Sequence, residues 1–478
     1  MAKARTVFLS QQEMDLIHAQ SIKSLEEIGI KIHSKSVLEI LEKNGARVDY
    51  QTMVAKIPEK MVNQALESAP KEFTLCARDP RHDLKVPTPK FPWVTTNGLA
   101  IYVKDYNTGE YRDSTRKDIA AFTKLADALD SVDYLWTALT AWDVTPLAHG
   151  PHELWVTMQN TTKHVQGVTA QSAEDAKVQI ELAALIAGGK EELRRRPLFS
   201  VVVCPIAPLT FEKGSIEAQV ELAKAGIPVV SMSMSVGGLS APVTVAGMMV
   251  NANTENLGSI VISQMAAPGA PHIYCSESAP MDMRTGNIDY DSVEMCFLSF
   301  GLAQMAHRYN LPSHVADQGG FSGGISFMTQ LIGIMGGSDL AAGLGAIDIA
   351  KGVSFEQLLI DAYMWDCCKN YLHEVEISEE KIGLEAVREV GHGHNFLSHP
   401  HTLRYFREEL KFWDKEKVSL LEMGDKEMAA EANKIVKSIL AKHQVEPLAN
   451  DLMEKGDAII SKYEDIAVSY THLRAHET

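Results

Sequence analysis

Between Tyr134 and His399 one pattern repeats: a short apolar run, a turn rich in Gly, Pro or Ser, a longer helix-like segment, then the next apolar run. The runs begin near Tyr134 (YLWTALTAW), His164 (HVQGVTA), Leu198 (LFSVVVCPI), Pro228 (PVVSMSMSV), His272 (HIYCSES), Ser313 (SHVADQGG), Gly345 (GAIDIAKG) and Asn395 (NFLSH). Strands alternating with helices make parallel βαβ units. Eight units predict an α/β fold closed into a (β/α)8 TIM barrel. In such a barrel, chemistry sits on the loops after the C-terminal ends of the strands, so candidate site residues are sought there.

Residues 10–70 carry apolar side chains at helical spacing, with Asn44-Gly45 ending one segment. Two strand-like stretches follow, the second bent at the Asn107-Thr108-Gly109 turn. The expected organisation is an N-terminal helical and β-hairpin extension over 1–125, a barrel over 126–415 and C-terminal helices over 416–468. Residues 469–478 continue no periodic pattern and resemble translated adapter sequence. They are expected to be an artefactual tail, outside the functional reading.

Composition narrows the partners. A net charge of −17 over 478 residues argues against nucleic acid, whose phosphates need clustered Lys and Arg. No apolar stretch reaches the roughly 20 residues that a membrane span requires. The N-terminus lacks the apolar centre of a signal peptide, so a cytoplasmic location is expected. The six cysteines contain no CxxC pair, which suits reduced thiols.

Three constellations could carry chemistry. After the fifth run, Glu277 stands at a strand end and Asp282 and Arg284 follow. A barrel-mouth carboxylate without a cation is costly to bury, which makes Glu277 a candidate, while Asp282 and Arg284 could simply brace their loop. After the sixth run, His314, Asp317, Gly319, Gly320 and Phe321 enter a glycine-rich loop. It lacks the lysine of a phosphate-binding loop and reads better as backbone approached closely by a large ligand. Gly237 and Gly238 form a weaker second case. Third, His392, His394, His399 and His401 crowd a short segment with Phe396. No Cys or carboxylate falls at ligand spacing there, so no metal site is expected and the histidines read as hydrogen-bonding groups. Trp142, Tyr274, Phe321 and Phe396 could pack in the core or offer ring faces. A methylated ammonium, which has no N–H to donate, is held by rings and carboxylates.

The Asp-Met-Arg-Thr-Gly run from Asp282, and the Gly-His-Gly-His-Asn-Phe-Leu run with the His, Arg and Glu that follow it up to Glu408, resemble the trimethylamine methyltransferase family. The Leu-Glu-Glu-Ile-Gly-Ile and Asp-Tyr-Asn-Thr-Gly runs near the N-terminus are similar too. The resemblance covers nearly the whole chain. It implies a TIM barrel that moves a methyl group from a methylated amine to cob(I)alamin, the cobalamin being carried by a separate corrinoid protein. Family members that use trimethylamine carry pyrrolysine. This sequence has none and resembles the non-pyrrolysine branch, which demethylates quaternary amines such as glycine betaine.

On that resemblance, Glu277 and Asp317 would balance the substrate cation, and Trp142, Tyr274, Phe321 and Phe396 would offer rings. Arg284 or His394 would meet a betaine carboxylate. His314, Gly237, Gly238, Gly319 and Gly320 would lie on the corrinoid side. The 319–330 loop departs from the family in lacking charged residues before Gln330. A homo-oligomer is expected. Two other readings compete: a barrel hydrolase or lyase using the mouth carboxylates and histidines without a corrinoid, and a non-catalytic betaine-binding protein.

Overall fold

The computed structural model describes residues 6–475 except 168–169, 291, 318–330, 332 and 411–413, and of 316–317 and 466–475 it describes the backbone alone. Eight parallel strands form one sheet: β1 Trp93–Thr96, β2 Leu135–Trp136, β3 Val165–Gly167, β4 Phe199–Val203, β5 Val229–Ser233, β6 His272–Ser276, β7 Ser313–Asp317 and β8 Leu340–Leu344. Each pairs with its chain neighbour, and β8 pairs with β1. A Thr95–Tyr134 bridge then joins β1 to β2 and closes the barrel.

Side chains complete that seam. Thr95 Oγ1 accepts from Trp136 N at 2.6 Å, Thr96 Oγ1 donates to Trp136 O at 2.6 Å, and Asp133 Oδ2 accepts from Val94 N at 2.8 Å. Burial raises the Asp133 carboxyl to about 6.

Two of the eight sequence runs are misplaced. The strand read near Gly345 lies just before it, at Leu340–Leu344. The Asn395 run is irregular backbone. Its place in the barrel is taken by Trp93–Thr96, so the segment assigned to the N-terminal extension supplies a barrel strand. At the other end, one helix runs from Asn450 to Ala475, through the segment read as a non-periodic tail.

Helices α1 (Arg116–Ala128), α2 (His149–Gln159), α3 (Ala173–Ala187), α4 (Lys213–Ala225), α5 (Val245–Ala266), α6 (Val293–Arg308) and α7 (Phe355–Lys369) cover the sheet. The connection from β7 to β8 lies largely outside the described residues. Helix α5 is apolar on most of its surface because it is sandwiched. Its Met248, Ala252 and Ile260 are buried in a core shared with the N-terminal helices Gln11–Lys23 and Glu59–Ser68.

Inside the barrel, Tyr134, Trp136, Val202, Val230, Met232, Ile273 and Cys275 pack with Leu75, Leu84 and Val86. The last three belong to the antiparallel pair Phe73–Leu75 and Leu84–Val86, which plugs the end where the strands begin. A cavity of about 640 Å³ opens beside that plug, among Lys71, Thr88, His307 and Asp339. It lies at the stability face of the barrel, where Asp339 ties Thr88 N and Ser313 N together. Among the described residues, no helix is long and apolar enough to cross a membrane.

Candidate active site at the barrel mouth

At the C-terminal ends of the strands lies a cavity of about 250 Å³, bounded by Asn97, Trp136, Cys204, Met232, Met234, Glu277 and Tyr290, with Ile349, Ala350 and Lys351 at its rim. Glu277 and Lys351 are the charged side chains among its described lining residues. Desolvation pushes both the Cys204 thiol and the Tyr290 hydroxyl up to about 12, so both are neutral near pH 7.

Two neighbouring elements hold Glu277. Its backbone N donates to Ser233 O at 2.9 Å, and the hydroxyls of Ser276 and Ser278 point at the same carbonyl, at 3.2 and 3.4 Å. Two residues earlier, Cys275 exchanges both backbone hydrogen bonds with the amide of Asn256 on α5, at 2.8 and 3.1 Å. Next to Asn256 on the same helix, buried Glu255 accepts from Ser233 Oγ at 2.5 Å, from Leu209 N at 2.9 Å and from Asn251 Nδ2 at 3.1 Å. Burial raises its pKa. A network with its members satisfied fixes geometry, and this one fixes the end of β6.

Backbone strain gathers at the same rim. Leu99 has φ 61°, and Asp348, Ile349 and Ala350 are consecutive left-handed residues with φ 51°, 56° and 62°. A β-branched residue there is a marked outlier. Such conformations persist only where surroundings enforce them, and they cluster at functional sites. Here Tyr102 OH donates to Asp348 Oδ2 at 3.1 Å, Asn97 Nδ2 to Ala350 O at 3.3 Å and Ile101 N to Lys351 O at 2.8 Å.

The model of the trimethylamine methyltransferase (MTTB) family matches residues 2–466. The chain belongs to that family. It is 32% identical to the trimethylamine methyltransferase MttB of Desulfitobacterium hafniense over 95% of this chain and 94% of that protein. It is 27% identical to a glycine betaine methyltransferase of Desulfitobacterium hafniense over 84% and 85%. Among solved structures, the monomethylamine methyltransferase MtmB of Methanosarcina barkeri aligns with a TM-score of 0.55 at 12% identity, covering 92% of this chain and 89% of that one. That likeness concerns the fold.

Within this member of the MTTB family, the residues singled out from sequence scatter. Glu277 lines the mouth cavity, and Glu277, Trp136 and His314 line a second, small space of about 10 Å³ that shares Trp136, Met232 and Glu277 with it. Tyr274 points the other way: it is buried in the helix layer, where its OH donates to Asn253 Oδ1 at 3.0 Å, so it cannot meet a ligand in the mouth. Trp142 is 50% exposed and stands outside the cavity, its Nε1 donating to Ile101 O at 2.6 Å.

Arg284 is in solvent, its side chain 88% exposed and paired with Asp282 at 3.1 Å, as the bracing alternative has it. Gly237 packs on buried Met248, and Gly238 is a left-handed turn residue next to Met283; neither lines the cavity. His394 and Phe396 lie in the exposed 391–398 segment, after which His399 bonds Glu389 at 3.0 Å and caps the helix Pro400–Glu409. Among the described residues, no cluster of three His, Cys, Asp or Glu could hold a metal ion. Asp317 ends β7, and its side chain is not described. Gly319, Gly320 and Phe321 lie outside the described residues.

Trp136, Asn97 and Tyr290 were missed. The signal for Trp136 was present: β2 ends there, six residues before the tryptophan chosen as its end, and Tyr134 and Trp136 share one side of the strand.

Proposed function

We propose that the chain transfers a methyl group from a quaternary, betaine-like amine to the reduced corrinoid of a separate protein. The observation carrying this reading is the lining of the mouth cavity among the described residues: the Glu277 carboxylate with the Trp136 and Tyr290 rings and the Met232 and Met234 thioethers, Lys351 standing at the rim. A quaternary ammonium cannot donate N–H hydrogen bonds, and ring faces with a carboxylate are what stabilise it.

The acceptor is a second substrate carried on its own protein, and it supplies the nucleophile. Its attack on the methyl carbon breaks the C–N bond, and the bonding pair stays on nitrogen. The amine leaves neutral, so no proton need be delivered. Cys204 and Tyr290, both held neutral by burial, are then compatible with the site without acting as acids. The work left to the protein is positioning and charge complementarity. The relatives named above act on trimethylamine and glycine betaine, both methylated amines. The absence of pyrrolysine from this sequence favours the quaternary class. A cytoplasmic homo-oligomer, its mouth open to a docking corrinoid protein, completes the reading.

The test is a visible spectrum. The protein is mixed with reduced corrinoid protein and, in turn, glycine betaine, proline betaine, carnitine, γ-butyrobetaine and choline. Conversion to the methylated corrinoid spectrum with a quaternary amine is expected. No conversion with any of them, given an active corrinoid protein, overturns the reading.

A further inference from the structure

The upper cavity suits a cation, and its floor is built differently. Trp136 is 6% exposed, His314 is 3% exposed and Gln166 is fully buried. Trp136 Nε1, His314 Nδ1 and both amide atoms of Gln166 have no hydrogen-bond partner among the described residues. These three side chains belong together. Trp136 and Gln166 are register partners on β2 and β3. Gln166 faces the barrel interior, because Val165 packs with the helix layer and Gly167 lies against Gln179 of α3. The Trp136 and His314 rings meet edge to face at 6.2 Å, and both border the small space that Glu277 also lines.

Leaving a buried donor unpaired costs about as much as losing a hydrogen bond outright. Trp365 Nε1, which also has no partner among the described residues, sits in the packed helix layer. The barrel-interior set instead lies inside the strands, with Trp136 and His314 lining the small space below Glu277 and Gln166 beside Trp136 in register.

We propose that Trp136, Gln166 and His314 receive the carboxylate of the substrate, which therefore lies tail-down with its methylated ammonium toward the mouth. The indole N–H can only donate, so its partner must be an acceptor, and an ammonium is not one. A carboxylate accepts from several donors at once and gains from charge-assisted bonds. Burial pushes His314 down to about 3, so it is neutral and its donor nitrogen is set by tautomer. This placement puts the cation beside Glu277 and leaves the methyl groups facing the loops where an acceptor can dock. It deepens the proposed function and rests on that reading for the direction of the methyl groups. It separates a carboxylate-bearing quaternary amine from choline, which has the same cation with a hydroxyl tail.

Calorimetric titration of the full chain, without corrinoid protein, tests it using glycine betaine, choline and tetramethylammonium. Glycine betaine is expected to bind at least tenfold more tightly than choline. Trp136→Phe, which keeps a ring, and Gln166→Met, which keeps the volume, are each expected to shrink that ratio by about tenfold. Gln166→Met should leave Tm unchanged or raised, since it removes two unpaired atoms; a merely structural glutamine would lower Tm and spare the ratio. An unchanged ratio in the folded variants, or equal binding of betaine and choline by the wild type, overturns the proposal. Selective binding without methyl transfer would instead sink the proposed function and leave this inference standing.

Discussion

A Cβ placed on Gly98 would lie 2.2 Å from the Trp136 indole, so the loop after β1 and the ring at the end of β2 occupy adjoining space with no room between them. Both residues line the mouth cavity. Gly98→Ala is therefore expected to displace the indole. Substrate KM should rise at least tenfold while the far-ultraviolet circular dichroism stays native. Wild-type KM in the variant would mean that Trp136 does not shape the substrate site.

Tyr274→Phe separates packing from binding. The hydroxyl it removes donates to Asn253 in the helix layer. Losing one such bond and leaving an unpaired acceptor costs about 1–3 kcal/mol. Denaturant melting should register that loss, and kcat/KM should stay within twofold of wild type. A raised KM with unchanged stability would return Tyr274 to the site.

Arg284→Ala should change neither KM nor stability appreciably. The pair with Asp282 is solvent-exposed, and water and salt screen such pairs so that they contribute little. A tenfold rise in KM for a carboxylate-bearing amine alone would assign Arg284 to that carboxylate.

Stability should fall on the acid side because His272, His164 and His314 are buried and uncharged. Desolvation lowers them to about 3, about 4 and about 3. The unfolded chain takes up protons from about pH 6.5 downward, before the folded one does, so stability drops as pH falls through that window. Glu153 and Asp361, raised by burial to about 7, act with the opposite sign: the folded state keeps protons the unfolded state has lost, and stability drops as pH climbs toward 7. His272, whose two ring nitrogens have no partner among the described residues, isolates the first effect. His272→Leu should flatten the acid limb by about 1.4 kcal/mol per pH unit between about pH 6 and 4, one proton's worth. Parallel stability curves for variant and wild type would contradict it.

The barrel was legible where strands are short, mostly apolar runs between turns, as at Phe199–Val203, Val229–Ser233 and His272–Ser276, each residue of which is buried, as in parallel strands covered on both faces. It was not legible at Trp93–Thr96, four residues preceded by prolines and sewn to β2 partly by threonine hydroxyls, a contact between distant segments that no local pattern announces. Glu277 could be read from its place at a strand end. Tyr274 could have been rejected on parity: Ile273 and Cys275 face the barrel interior, an alternation that continues to Glu277, and Tyr274 falls on the other side. Lys351 and the left-handed Asp348–Ala350 turn reach the mouth only because the chain doubles back into the Gly352–Ser354 strand, which pairs with Tyr102–Lys104.

The measurement that bears most directly on the central claim is methyl transfer to reduced corrinoid protein by wild type and Glu277→Gln side by side, across a concentration series of the preferred quaternary amine. Removing the carboxylate beside the cation should cost about 2–3 kcal/mol, roughly 30–150-fold in kcat/KM, with the variant's Tm unchanged. Equal rates for the two proteins would contradict a cation site built around Glu277.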